Sequence, residues 1–218
     1  MNSPRDDPVL PMLAVNGIPF SGKGWLFEPK FDGIRCLASI RKGDIIMRNR
    51  RLSIITGAFP EIVDALREAV NEDCVLDGEI IMVKEGKPDI SAIQKRMFID
   101  SPLKARLLAR TNPAQYVVFD IIELDGEPLI SYPLHERKGI LARILRKNDS
   151  IVLTGYVEES GEMYFEAAQR NGFEGVVAKR LDSPYLPGVR STQWVKFRRS
   201  AGFDLVVGGY TPGHGKRK

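Results

Sequence analysis

Along most of this chain apolar residues recur at one of two spacings, every second residue or every third and fourth, and the two patterns follow one another without a fixed order. Short apolar-rich runs at 25–30, 34–41 and 44–48 predict three strands, with Lys42-Gly43 as the tight turn between the last two. Helical spacing takes over at 56–70, where Phe59, Ile62, Val63, Leu66 and Val70 share a face and Pro60 suits the first turn. A weakly alternating strand follows at 75–83, and 91–110 predicts two short helices broken at Asp100-Ser101-Pro102. The most apolar strand covers 115–123 and runs into an Asp125-Gly126 turn. An amphipathic helix over 134–147 shows Ile140, Leu141, Ile144 and Leu145 on its apolar side. A strand at 151–157 leads to a helix from Glu162 that Asn171-Gly172 would cap, and strands at 175–180, 193–199 and 205–210 close the chain.

This order has no repeating strand–helix–strand unit, and neighbouring strands are joined by short turns. It predicts an α+β fold of mainly antiparallel sheets flanked by helices. Residues 1–24, rich in Pro, Gly and Ser, read as an extended lead-in, and 25–202 reads as one domain because no strong linker divides it.

Composition narrows the chemistry. Apolar content of 43% and charged content of 28% are ordinary for a globular chain. No apolar run approaches a membrane span and the first residues carry no apolar signal region, so a cytoplasmic location and no membrane partner are expected. Cys36 and Cys74 stand in separate apolar stretches and are expected as free, buried thiols. With His135 and His214 the only histidines, a zinc site or a Ser-His-Asp triad has almost nothing to work with, and any metal should be a hard cation on carboxylates. The net charge of +4 permits a nucleic-acid partner without demanding one.

Against that background, Glu28-Pro29-Lys30-Phe31-Asp32-Gly33-Ile34-Arg35 stands out, with a lysine closing one predicted strand and an arginine opening the next. Four further clusters put charge where the pattern predicts burial. Asp77-Gly78-Glu79 interrupts one strand, Asp120 another, Glu174 precedes Gly175-Val176-Val177-Ala178-Lys179, and Trp194-Val195-Lys196-Phe197-Arg198 alternates. Alternation puts Trp194, Lys196 and Arg198 on one strand face and Val195 and Phe197 on the other. These lysines, arginines and carboxylates are the inventory that phosphate chemistry needs. A lysine attacks phosphorus only as the free amine, and its reference pKa is about 10.4. Neighbouring cations such as Lys179, Lys196 and Arg198, partial burial and a divalent metal would free the lone pair. Glu79 and Glu174 could hold Mg²⁺, which favours one or two carboxylates plus substrate oxygens, and Phe119 could stack a base.

The run Lys30-Phe31-Asp32-Gly33-Ile34-Arg35 resembles the nucleophile motif of ATP-dependent DNA ligases and related covalent nucleotidyltransferases. Met47-Arg48-Asn49, Asp77-Gly78-Glu79, Phe119-Asp120, Glu174 to Lys179 and Trp194-Val195-Lys196 are similar to that family's later motifs, in the family's order. Pro11-Met12-Leu13-Ala14 and the approach to Lys30 resemble ligase domains of bacterial and archaeal end joining. The resemblance implies an ATP-grasp-like nucleotidyltransferase fold, ATP with Mg²⁺ or Mn²⁺, nicked or broken double-stranded DNA as partner, a monomer and a prokaryotic cytosol. It implies that Lys30 becomes adenylylated and that Glu28 sits at the adenine edge with Phe119 stacked on the ring. Arg35 and Arg48 would contact the ribose and later the DNA end, Glu79 the ribose or metal and Glu174 the metal, while Lys179, Lys196 and Arg198 would hold phosphates.

Three departures qualify the resemblance. Met47 stands where serine is frequent, and Arg50 competes with Arg48 for its role. Arg198 replaces a lysine, exchanging a point donor for a planar fork. Residues 203–210 resemble the start of an OB-fold and the sequence ends at Lys218, so 203–218 reads as a truncated OB domain and slow self-adenylylation as the main activity of this chain. An RNA ligase, a GTP-using capping enzyme and a catalytically silent nucleic-acid-binding scaffold are the alternatives.

Overall fold

The structure, a computed structural model, describes residues 8–84 and 87–198. In chain order it begins with β1 (Leu13–Asn16), β2 (Gly22–Lys30), β3 (Ile34–Arg41), β4 (Asp44–Asn49), α1 (Pro60–Ala69) and β5 (Cys74–Ile81). A small hairpin of β6 (Val83–Lys84) and β7 (Lys87–Pro88) follows, then α2 (Ile90–Arg96), α3 (Pro102–Thr111), β8 (Gln115–Leu124) and β9 (Glu127–Pro128). The last third holds α4 (Leu134–Ile144), β10 (Ile151–Leu153), β11 (Val157–Glu159), α5 (Gly161–Arg170), β12 (Gly175–Arg180) and β13 (Arg190–Arg198).

Two sheets face each other. One has the order β1-β13-β12-β2-β11, and the other β10-β8-β5-β3-β4 with β9 beside β8. Pairing is antiparallel except for β1 with β13 and β10 with β8, so the α+β expectation of mainly antiparallel sheets holds. On the outer face of the second sheet, Cys36, Ala38, Leu76, Ile80, Tyr116 and Val118 pack against Ile62 and Leu66 of α1 and Leu141 and Ile144 of α4. On the outer face of the first, Phe27, Val176, Ala178 and Phe197 pack against α5 through Ala168 and Phe165. The inner faces meet over a smaller apolar cluster of Met12, Leu37, Phe119, Ile122, Tyr185 and Trp194.

Several boundaries differ from the sequence reading. The lead-in is not merely extended: residues 13–16 form the edge strand β1, tied to β13 with a register shift between Ala14 and Val15. The helix expected from Thr56 begins at Pro60, because 56–58 closes a tighter turn first. The strand expected over 151–157 is two strands in different sheets, β10 beside β8 and β11 beside β2, with the chain crossing over at 154–156. The break between α2 and α3 falls where expected, and Ser101 there caps α3 by accepting from the Lys104 amide. Both cysteines are free and buried, and burial pushes the Cys74 thiol up to about 12. Residues 203–218, read as the start of an OB-fold, lie outside the described residues.

Asp120, a charge inside the most apolar strand, is explained by a partner the sequence reading did not name. Arg137 of α4 donates Nε to Asp120 Oδ1 at 2.8 Å and Nη2 to Oδ2 at 2.9 Å, and both side chains are fully buried. A bidentate pair with its remaining donors satisfied is the form in which a buried charge persists. The rest of that guanidinium bonds the carbonyls of Tyr132 and Ser183.

Candidate active site

Lys30 ends β2 in one sheet and Ile34 starts β3 in the other, so residues 31–33 carry the chain across the gap between them. The crossing is tight. A Cβ on Gly33 would lie 2.2 Å from the Ile80 carbonyl oxygen, which only glycine avoids. Gly175 lies opposite Lys30 in the β2–β12 register, and a Cβ there would meet the Phe197 carbonyl at 1.9 Å. Strand alternation then does the rest. The pairings Val177 with Glu28 and Lys196, Lys179 with Leu26 and Trp194, and Gly175 with Lys30 and Arg198 place all of these on the inner face.

The resulting cleft has a volume of about 1050 Å³ and is walled by both sheets. Of the residues expected at a site, Glu28, Lys30, Arg35, Glu79, Phe119, Lys179, Lys196 and Arg198 line it. Glu174 stands just behind: it accepts from Lys30 Nζ through Oε2 and lies 3.1 Å from Arg198 Nε through Oε1. Arg48 is the exception. It is not among the lining residues, whereas Arg50, Arg51 and Arg190 are. The strand β4 ends at Asn49, whose side chain accepts from the Arg51 and Ser53 amides, and that turn carries Arg50 to the cleft.

Glu28 is buried between two lysines. Lys138 of α4 donates to its Oε1, and Lys179 Nζ stands 2.6 Å from Oε2 without hydrogen-bond alignment. The Lys179 ammonium also lies 4.2 Å from the Phe119 ring centre and 4.1 Å from that of Trp194, so its charge is balanced by a carboxylate and two π-faces. Burial pulls Lys179 down to about 8 against the pull of Glu28, with Lys138 adding to the fall. Phe119 is only 8% exposed and carries Arg35 4.6 Å from its ring centre as well as Lys179, leaving little free ring surface.

On the opposite wall, burial raises Glu79 to about 7, opposed by Arg35 and then Lys30. Lys196 is lowered by burial and by the repulsion of Arg198, Arg190, Lys30 and Arg50, which measures how many cations converge there. Arg35 is gripped by buried Asp77: Nε to Oδ1 and Nη2 to Oδ2 are both 2.6 Å. Among the described residues no cluster of three metal-ligating side chains exists. The two carboxylates on either side of Lys30 suit Mg²⁺, which completes its shell with substrate and water oxygens, and not zinc.

Lys138, Arg137 and Tyr185 are the residues that sequence reading missed. For Lys138 a signal existed: Leu134, Lys138, Leu141 and Leu145 recur at helical spacing, so the apolar stripe of α4 already contains a cation.

A lysine ending a strand at the floor of a cation-lined cleft between two sheets is the layout of a nucleotide-handling enzyme. The family profile described as ATP dependent DNA ligase domain matches residues 11–198, and the chain belongs to that family. It is 33% identical over 96% of its length to DNA ligase C1 of Mycolicibacterium smegmatis, of which it covers 62%. It is 31% identical over 98% of its length to the multifunctional non-homologous end joining protein LigD of the same organism, of which it covers 27%. A mycobacterial DNA ligase D solved with ATP and MES superposes with a TM-score of 0.70 at 28% identity, over 87% of this chain and 60% of that one. The chain thus spans less than two thirds of these relatives. The α+β fold is that of the ligase nucleotidyltransferase domain, and the chain is an ATP-dependent ligase adenylation domain. Among the described residues no helix is long and apolar enough to cross a membrane.

Proposed function

We propose that Lys30 Nζ attacks the α-phosphate of ATP, forming a phosphorus–nitrogen bond as the bond to the bridging oxygen breaks and pyrophosphate leaves. In the longer protein the AMP passes to a DNA 5′-phosphate at a nick, and the adjacent 3′-hydroxyl displaces it to seal the strand. The observation that carries this reading is the register that sets Lys30, Lys196 and Arg198 on one inner face, across from Glu79 and Arg35. Lys196 and Arg198 hold the phosphates, and Lys179 backs them with a cation that burial keeps only partly solvated. Glu28 fixes the base end of the cleft while Lys138 and Lys179 keep its charge balanced. Phe119 forms the wall there. Arg35 faces the ribose and, in the later steps, the DNA end, and Arg50 takes the second position expected of Arg48. Glu79 and Glu174 would hold Mg²⁺ or Mn²⁺, which neutralises polyphosphate charge when bound. The longer protein is read as a cytoplasmic enzyme of DNA end joining.

Incubation with ATP labelled on its α-phosphate, with Mg²⁺ or Mn²⁺, tests the first step. The wild type should acquire covalent, acid-labile label whose formation excess unlabelled ATP suppresses and excess GTP does not. Absence of label, or equal label on Lys30→Ala, overturns the reading.

A further inference from the structure

Arg35, Asp77, Tyr185 and Met12 close a ring of hydrogen bonds across the cleft. Arg35 grips Asp77 through two bonds of 2.6 Å. The Tyr185 hydroxyl donates to Asp77 Oδ2 at 2.6 Å and accepts the Met12 amide at 3.0 Å. The Met12 carbonyl in turn accepts Arg35 Nη2 at 3.2 Å, which closes the circuit. Asp77 and Tyr185 are buried, at 0% and 1% exposure, whereas the Arg35 side chain keeps 18%. The ring therefore has one member reaching the cleft and three that never see solvent.

Its members come from both walls. Arg35 and Asp77 lie on the adjacent strands β3 and β5 of one sheet, two positions apart in register. Met12 immediately precedes β1, and Tyr185 lies in the connection between β12 and β13, all three strands of the other sheet. Trp194 stacks edge-on against Tyr185 at 5.9 Å between ring centres and fixes the phenol from the cleft side.

We infer that Tyr185 is a positioning residue for the nucleotide: with the Met12 peptide it sets the plane and depth of the Arg35 guanidinium through Asp77. The physical reason is directional. Two bonds to Asp77 fix the guanidinium relative to that carboxylate, but a carboxylate can itself swing about its last torsion. The Tyr185 hydroxyl holds Oδ2 against that swing, and the Met12 carbonyl stops the far edge of the fork. Loss of the hydroxyl leaves Arg35 charged and present but free to rotate away from a bound ribose or phosphate. A small error in such an orientation is costly to rate.

The inference rests on the reading of Arg35 as a nucleotide contact, and a double-mutant cycle separates the two. Lysyl-AMP formation is measured at saturating and limiting ATP for the full 218-residue chain as wild type, Tyr185→Phe, Arg35→Gln and the double variant, alongside thermal melting. Arg35→Gln should lower the rate at limiting ATP by more than about tenfold, and Tyr185→Phe by about fivefold to tenfold in the same kinetic parameter, KM or kcat. In the Arg35→Gln background Tyr185→Phe should change the rate by less than about twofold while still lowering the melting temperature. A merely structural tyrosine would multiply its effect unchanged into that background, or have none, and either result overturns the inference while leaving the Arg35 reading intact. An Arg35→Gln variant as fast as wild type overturns the Arg35 reading itself. If Tyr185→Phe melts below the assay temperature, hydrogen exchange of the Met12 amide decides instead. Arg35→Gln should speed it by about tenfold if the ring is one unit, and unchanged exchange overturns the inference.

Discussion

Lys30 Nζ donates to Glu174 Oε2 across 144 residues of chain, and the same carboxylate reaches Arg198 through its other oxygen. Glu174 therefore touches both Lys30, the proposed nucleophile, and Arg198, a proposed phosphate contact. Replacing it with alanine should lower lysyl-AMP formation by about a hundredfold or more, with partial recovery at raised Mn²⁺. The melting temperature should move little, because the pair is partly solvent-exposed. Label formation by Glu174→Ala at the wild-type rate would contradict this.

Glu79 gives a pH dependence whose sign is opposite to that of an ordinary ion-paired carboxylate. Burial raises it from 4.5 to about 7, so the folded state prefers the protonated form. Its contribution to stability is therefore fully present below 4.5, falls as pH rises, and is lost above about 7. Glu79→Gln should raise the melting temperature at pH 8 and change it little at pH 4.5. The same variant should lose adenylylation at every pH. In the wild type, adenylylation should rise with pH through about 7 as the carboxylate ionises.

The Glu28 cluster should be the costlier one to break by charge removal. Glu28→Gln leaves two buried ammonium groups facing each other and should destabilise the domain by about 3–5 kcal/mol. Lys138→Met added to it should restore part of that loss. Chemical denaturation of the two variants reads the difference directly.

Asp120 and Arg137 make the parallel case away from the cleft. Asp120→Asn or Arg137→Met should each cost about 3–5 kcal/mol, because either strands a fully buried charge. The double variant should cost less than the sum. Strict additivity would mean that the two side chains do not depend on one another.

Sequence pattern carried the inner face of β13 because a period of two is a local property: once Lys196 is known to point inward, Trp194 and Arg198 must follow. The Lys30–Glu174 contact was beyond local reading, because it depends on the Gly175–Lys30 register between strands far apart in sequence. β1 was hidden by its brevity, four residues set between a proline-rich start and Gly17. Arg48 is a separate case: it sits inside β4 opposite Leu37 of the inner-face cluster without lining the cleft, and the turn after β4 brings Arg50 there instead. Tyr185 carries no anomaly in its own neighbourhood, and its role emerges only when the β12–β13 connection is folded onto the cleft.

The three-residue passage from Lys30 to Ile34 makes Lys30 and Arg35 belong to different sheets while keeping them five positions apart in sequence. A change in the angle between the sheets would therefore shear the two side chains past each other, even with every strand unchanged. A nucleotide held at once by Lys196 on one wall and Arg35 on the other would act as a strut against that shear. Affinity for ATP and stiffness between the layers would then be one property, measured twice.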